Sequence, residues 1–120
     1  MKKYNKVIFV CNGNTCRSPM AATIFSSVKN DDKLLVASRG MVVLFDEPYN
    51  PKAVAVCAAH DMIMPNNPAT QISADDFGND TLVLTMSDAQ KNKIYAEFDN
   101  AINVYTCLLY TSPSPRDSTS

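Results

Sequence analysis

A chain of 120 residues, 46% hydrophobic and 19% charged, suits one domain that buries roughly two thirds of its unfolded surface. Its formal net charge of −1 supplies no attraction for nucleic acid or an anionic membrane. No apolar run approaches a membrane span, and the apolar residues Val7 to Cys11 behind Lys2, Lys3 and Lys6 are too few for a signal peptide. The expectation is a cytoplasmic protein whose cysteines stay reduced and serve chemistry.

Val7-Ile8-Phe9-Val10 is β-branched and aromatic throughout, which predicts a strand buried on both faces of a parallel sheet. The loop Cys11 to Arg17 follows. Ser18-Pro19 reads as N-cap and first helical residue, because proline lacks only an N–H that would be orphaned there. Ala21, Ile24, Phe25 and Val28 then share one helical face. Leu34 to Ala37 predicts a second strand, ended by Ser38-Arg39-Gly40. Pro51 to His60 has alanines and valines at helical spacing, and Pro65-Asn66-Asn67-Pro68 breaks what precedes it. Thr81 to Met86 predicts a third strand. Ser87 and Gln90 fit a capping box for a helix running to about Phe98, with Ile94 and Phe98 inward. Ile102 to Tyr105 predicts a fourth strand. Such alternation argues for an α/β domain with a parallel sheet. Cysteine spacing disfavours zinc, since Cys11 and Cys16 lie five apart and Cys57, His60 and Cys107 offer no second close pair.

The chemistry concentrates in Cys11 to Ser18, a C-x5-R-S loop between a strand end and a helix start. Gly13 permits positive φ, so consecutive N–H groups can turn inward as an anion-binding concavity. The following helix aims its positive dipole end at the same point. Arg17 adds a planar fork of donors that matches two oxygens of a tetrahedral dianion. Such surroundings favour the thiolate of Cys11, an in-line nucleophile beneath a bound phosphoryl group. The loop would also stabilise charge developing on the equatorial oxygens. An ordinary βα turn with two incidental thiols is the alternative.

"VIFVCNGNTCRSPMAA" resembles the opening pattern of the low-molecular-weight protein tyrosine phosphatase family, and the likeness runs more loosely through "SRG", "NPKA", "DF" and "LVLTM", over about residues 4 to 106. The resemblance implies a three-layer α/β sandwich with a four-stranded parallel sheet, its last strand and helix incomplete here. It makes Cys11 the nucleophile, Arg17 the phosphate clamp, and Ser18 a donor to the thiolate. Asn12, Gly13, Asn14, Thr15 and Cys16 complete the phosphate-binding loop, with Asn14 fixing its backbone and Ser38 bracing Asn14. Cys16 matches the cysteine that can form a reversible disulfide with the nucleophile. Neither a cofactor nor a metal is implied, because Arg17 and the amides supply the positive charge. The implied partners are a phosphorylated protein and inorganic phosphate or another oxyanion, with no nucleic acid and no membrane.

The same resemblance calls for a general-acid aspartate in a DPY or DPF segment well downstream of the third strand. Asp99 and Asp117 are the downstream candidates, and neither lies in such a segment. Glu47-Pro48-Tyr49 falls too early, in a loop expected to form a pocket wall. The acid is therefore expected to be absent. "CLLYTSPSPRD" resembles a translated sequencing-library adapter, so the expected domain is 1–106, truncated, with 107–120 a non-native disordered tail. A sheet face left uncovered is the expected consequence.

Three further readings compete. Thr15 resembles members acting on phosphoarginine, since a polar wall tolerates a guanidinium better than an aromatic ring. Thiol-dependent arsenate reductases share the loop but need relay cysteines, and Cys57 sits among alanines and valines as a buried structural thiol. The last is an inactive phosphate-binding remnant. Met41 to Phe45 is left open between core and pocket wall, Tyr49 reads as a surface-loop tyrosine, and His60 as a residue at a helix end.

Overall fold

The computed structural model describes residues 4–107. Of the tail 107–120 expected to be disordered, Cys107 is described and its N–H donates to Thr85 O at 2.7 Å, whereas 108–120, with the candidate Asp117, lie outside the described residues. Four strands, β1 (Lys6–Cys11), β2 (Leu35–Gly40), β3 (Thr81–Thr85) and β4 (Val104–Thr106), form one parallel sheet in the order β2-β1-β3-β4. The expected three-layer α/β architecture is present. Parallel pairing forces a crossover between successive strands, and α1 (Arg17–Val28), α2 (Pro51–Ala59) and α3 (Asp88–Glu97) lie in those crossovers. From β1 the chain turns to β2 on one side, then returns past β1 to β3 on the other. The carboxyl end of β1 is thus the switch point where such sheets leave a crevice for ligands.

Ile8, Val10 and Val83 are fully buried, and with Val104, Met41, Ile72 and Ile94 they form the main core. Phe77 and Phe98 close that face with ring centroids 5.2 Å apart. On the opposite face Phe9 meets Phe25 of α1 edge-on at 5.8 Å. Tyr105, on the edge strand β4, is half exposed. No helix among the described residues is long and apolar enough to cross a membrane.

Several expected details change. α1 starts two residues early, at Arg17 with Cys16 as its N-cap, and Pro19 is accommodated inside the first turn. Its buried residues are Ser18, Pro19 and Thr23, whereas Ile24 and Val28 are 44% and 66% exposed. Polar Thr23 is admitted because its hydroxyl donates to Pro19 O at 2.9 Å. The capping box at α3 is half formed: Ser87 Oγ accepts from Gln90 N–H at 3.2 Å, but the Gln90 side chain is spent elsewhere. A full capping box, unanticipated, joins Ser73 and Asp76. β4 begins two residues late because Asn103, at φ 60°, bends the chain before it.

Candidate active site

Cys11 ends β1 and is 5% exposed at the floor of the following turn. Its sulfur lies 2.9 Å from Ser18 Oγ and 3.4 Å from the Ser18 N–H, which donates to it. The early start of α1 now has a reason: it delivers the Ser18 amide, one of the helix's orphan donors, to the sulfur. The Ser18 hydroxyl carries one proton and faces two acceptors, Cys11 Sγ and Arg39 O at 3.3 Å. A neutral thiol would donate to Ser18 Oγ and leave that proton to Arg39 O. A thiolate would take it.

Asn14, fully buried, organises the turn. Its Nδ2 donates to Ser18 Oγ at 2.9 Å and to Ser38 Oγ at 2.8 Å, while its Oδ1 accepts from Thr70 N–H at 2.8 Å. Ser38, on β2, is therefore in contact with Asn14 as expected. The left-handed residue is also Asn14, at φ 56°, and no glycine has positive φ among the described residues. Expecting that role of Gly13 was wrong: asparagine tolerates this region, and here three side-chain bonds hold it there. The glycine the loop depends on is Gly40. A Cβ at Gly40 would lie 2.6 Å from Val43 Cγ2 and 3.0 Å from Asn14 Cβ and N.

The segment after β2 runs beside the turn, with Met41 N–H donating to Cys11 O and Val42 N–H to Asn12 O, each at 2.9 Å. It divides the "MVVLF" stretch: Met41 is core, whereas Val42, Leu44 and Phe45 are exposed. Together with Gly13, Thr15, Glu47 and Ala69 those exposed residues line a pocket of about 160 Å³. A larger cavity of about 320 Å³, lined in part by Thr23, Val36, Tyr49, Met62 and Ile63, includes Ser38 but no residue from Cys11 to Arg17. Tyr49 thus lines that cavity and packs, as Cys16 does, against the cluster of Ala53, Cys57 and Met64.

Arg17 is exposed at the first position of α1 and forms no ion pair with a described residue. Thr15 is half-buried and its carbonyl accepts from Asn50 N–H at 2.7 Å. Cys16 packs against the cluster of Ala53, Cys57 and Met64, and Cys11, Cys16, Cys57 and Cys107 are all free thiols. Cys57 is 1% exposed, the buried structural thiol expected of it. Burial pushes the Cys107 thiol up from its usual range. Asp99 follows α3 at the amino edge of the sheet, across the molecule from Cys11. Glu47 is the one carboxylate lining the smaller pocket. Sequence reasoning missed Gly40, Thr70 and Gln90. Thr70 acts through its backbone N–H and leaves no side-chain signal. Gln90 was assigned wholly to a helix cap.

A buried cysteine on the floor of a strand–loop–helix turn, at the switch point of a parallel sheet, defines a class of α/β protein with a thiol at its ligand crevice. A model of the low molecular weight phosphotyrosine protein phosphatase family matches residues 6–119, and the chain belongs to that family of hydrolases. It is 35% identical over 105 residues to the low molecular weight protein-tyrosine-phosphatase PtpB of Staphylococcus epidermidis, covering 88% of this chain and 73% of the relative. It is 40% identical over 83 residues to Wzb of Salmonella typhimurium, covering 69% and 54%. Among solved structures, the low molecular weight phosphatase of T. tengcongensis superposes with a TM-score of 0.74 at 31% identity, over 84% of this chain and 71% of that one. The YwlE arginine phosphatase, with a phosphorylated active-site serine, gives 0.72 at 30% identity, over 84% and 68%.

Proposed function

We propose that the chain hydrolyses phosphorylated protein side chains, phosphotyrosine first, through a phosphocysteine intermediate on Cys11. The Cys11 sulfur attacks phosphorus in line, an S–P bond forms, and the ester P–O bond breaks with its electron pair on the leaving oxygen. Water then attacks phosphorus, expels the sulfur and releases inorganic phosphate. The amides of the Gly13–Ser18 turn and the Arg17 guanidinium bind the three equatorial oxygens in both steps. Ser18 stabilises the anionic sulfur before attack and again as it departs. The observation that carries this reading is the convergence of Ser18 on Cys11 Sγ, its N–H donating at 3.4 Å and its hydroxyl oxygen 2.9 Å from the sulfur.

The leaving oxygen needs a proton, and no DPY or DPF segment that would carry the expected aspartate occurs in the sequence. Turnover is therefore expected to be selective for leaving groups that depart as stable anions, by about 10²–10⁴-fold against a protein with the acid. The test is a series of aryl phosphates of graded phenol acidity, with mass spectrometry for a phosphate adduct on Cys11. Phosphate binding with no adduct from any ester would leave a phosphate-binding module. A rate flat across the series would put an acid in the site.

Phosphoarginine is the second reading, favoured by the presence of Thr15 and Glu47 in the wall of the same pocket. A hydroxyl and a carboxylate suit a guanidinium's N–H donors, and the YwlE structure bears the name arginine phosphatase. Comparing both phosphoamino acids on the parent and Thr15→Ile tests it, since an unchanged preference removes Thr15 from the argument. Arsenate reduction draws no support, because Cys57, the relay candidate, is 1% exposed and packed among Ala53 and Met64.

A further inference from the structure

Gln90 is 7% exposed, and both ends of its side-chain amide are engaged on different elements. Its Oε1 accepts from Met86 N–H at 2.9 Å and its Nε2 donates to Asn12 Oδ1 at 3.0 Å. The backbone donor decides which way the amide points. Only oxygen can face Met86 N–H, so the NH₂ faces Asn12, and Asn12 must present its own oxygen in return. Asn12 Nδ2 is thereby turned away from α3, and it bonds to no described residue. Asn12 directly follows Cys11 and is exposed, and its carbonyl is tied to Val42 N–H at 2.9 Å. An exposed asparagine is thus anchored at main chain and side chain, with one donor left over.

We infer that Gln90 is a positioning residue that holds Asn12 Nδ2 as a fixed donor on the flank of the phosphate loop, where it takes a main-chain carbonyl of the phosphorylated polypeptide. The inference rests on the phosphatase reading and adds to it what the enzyme recognises beyond phosphate. Loop amides and Arg17 meet the phosphate oxygens. What a polypeptide offers next is a carbonyl acceptor on every residue. A neutral donor fixed in advance binds such an acceptor with little ordering cost and no charge preference. It selects a chain over a free phosphoamino acid without reading its sequence.

The test uses the Cys11→Ser protein, which lacks the attacking thiol, and calorimetric affinities for inorganic phosphate, a phosphotyrosine peptide and a phosphoarginine peptide. Asn12→Ala and Gln90→Leu should each weaken the tighter peptide about tenfold, and in Gln90→Leu phosphate should stay within about twofold. The double variant should be no weaker than either single one. Gln90→Glu keeps the size and the acceptor for Met86 N–H, but its second oxygen draws Asn12 Nδ2 inward. It should weaken the peptide as much as Gln90→Leu while melting at the parent's temperature. Unchanged peptide affinity, additive losses, or phosphate falling in step with peptide would each overturn the inference. A parent that binds phosphate, but neither peptide more tightly, overturns it alone. A parent that does not bind phosphate removes the phosphatase reading as well.

Discussion

The turn from Cys11 to Ser18 and the wall from Val42 to Glu47 adjoin the same small pocket but are built on opposite plans. In the turn, Asn14 and Ser18 are buried and their polar side-chain atoms are engaged. In the wall, Leu44 and Phe45 are 83% and 64% exposed, and the side-chain bond that steadies it is Val43 N–H to Gln71 Oε1 at 2.7 Å. The part proposed to meet phosphate is over-determined, whereas the part proposed to meet the rest of a substrate is held chiefly by its backbone. Chemistry common to every substrate tolerates no play, and recognition that differs between substrates does.

The contrast breaks most sharply at the turn. Cys11→Ser should abolish turnover of an aryl phosphate, and Arg17→Ala should lower it by about 10²–10³-fold through loss of charge stabilisation. Steady-state rates and vanadate affinity check both, and Arg17→Ala must weaken vanadate for the comparison to stand. Asn14→Ala removes two buried bonds and one part-buried bond and strands a left-handed backbone, so denaturant melts should show a loss of about 2–4 kcal/mol. A phosphate affinity preserved in that variant would show that the turn does not need its brace.

Gly40→Ala is next, at about 1–3 kcal/mol, because its Cβ would press on Val43 and the Asn14 backbone together. It touches turn and wall at once, so melts and peptide affinities should shift in the same variant. The smallest effects belong to the wall. Glu47→Gln and Phe45→Ala should leave melting within about 0.5 kcal/mol of the parent, since both residues are exposed. Glu47→Gln should nonetheless change the ratio of phosphoarginine to phosphotyrosine hydrolysis severalfold. A melt that dropped with either substitution would mean the wall is structural after all.

How much of this could be read beforehand follows from where each signal resides. The apolar runs and their punctuation located all four strands, most clearly at Val7 to Val10, where burial on both faces leaves a continuous apolar run. Cys11, Arg17 and Ser18 stood out because their spacing carries chemistry. Asn14 and Ser38 were legible through the family resemblance, and the structure brings them within 2.8 Å. The left-handed position was misplaced because glycine is the default occupant, and only tertiary bonds put Asn14 there. The inward side of α1 was misjudged because hydrophobic spacing gives no weight to Ser18 and Thr23, whose hydroxyls are engaged by Cys11, Asn14 and Arg39 O and by Pro19 O. Gly40 needed the approach of Asn14 from another part of the chain. Gln90 satisfied a local rule so well that its long-range partner went unseen.

Asn14 is joined to Thr70 across 56 positions, and Asn12 to Gln90 across 78. The anion loop itself spans a single turn of chain, yet it owes its shape to segments that must be brought in from far along the polypeptide. Such distant closures come late in folding. A nascent or partly unravelled molecule therefore holds a flexible, unformed loop around its thiol, and oxyanion capture becomes a gauge of whether the whole sheet has been assembled.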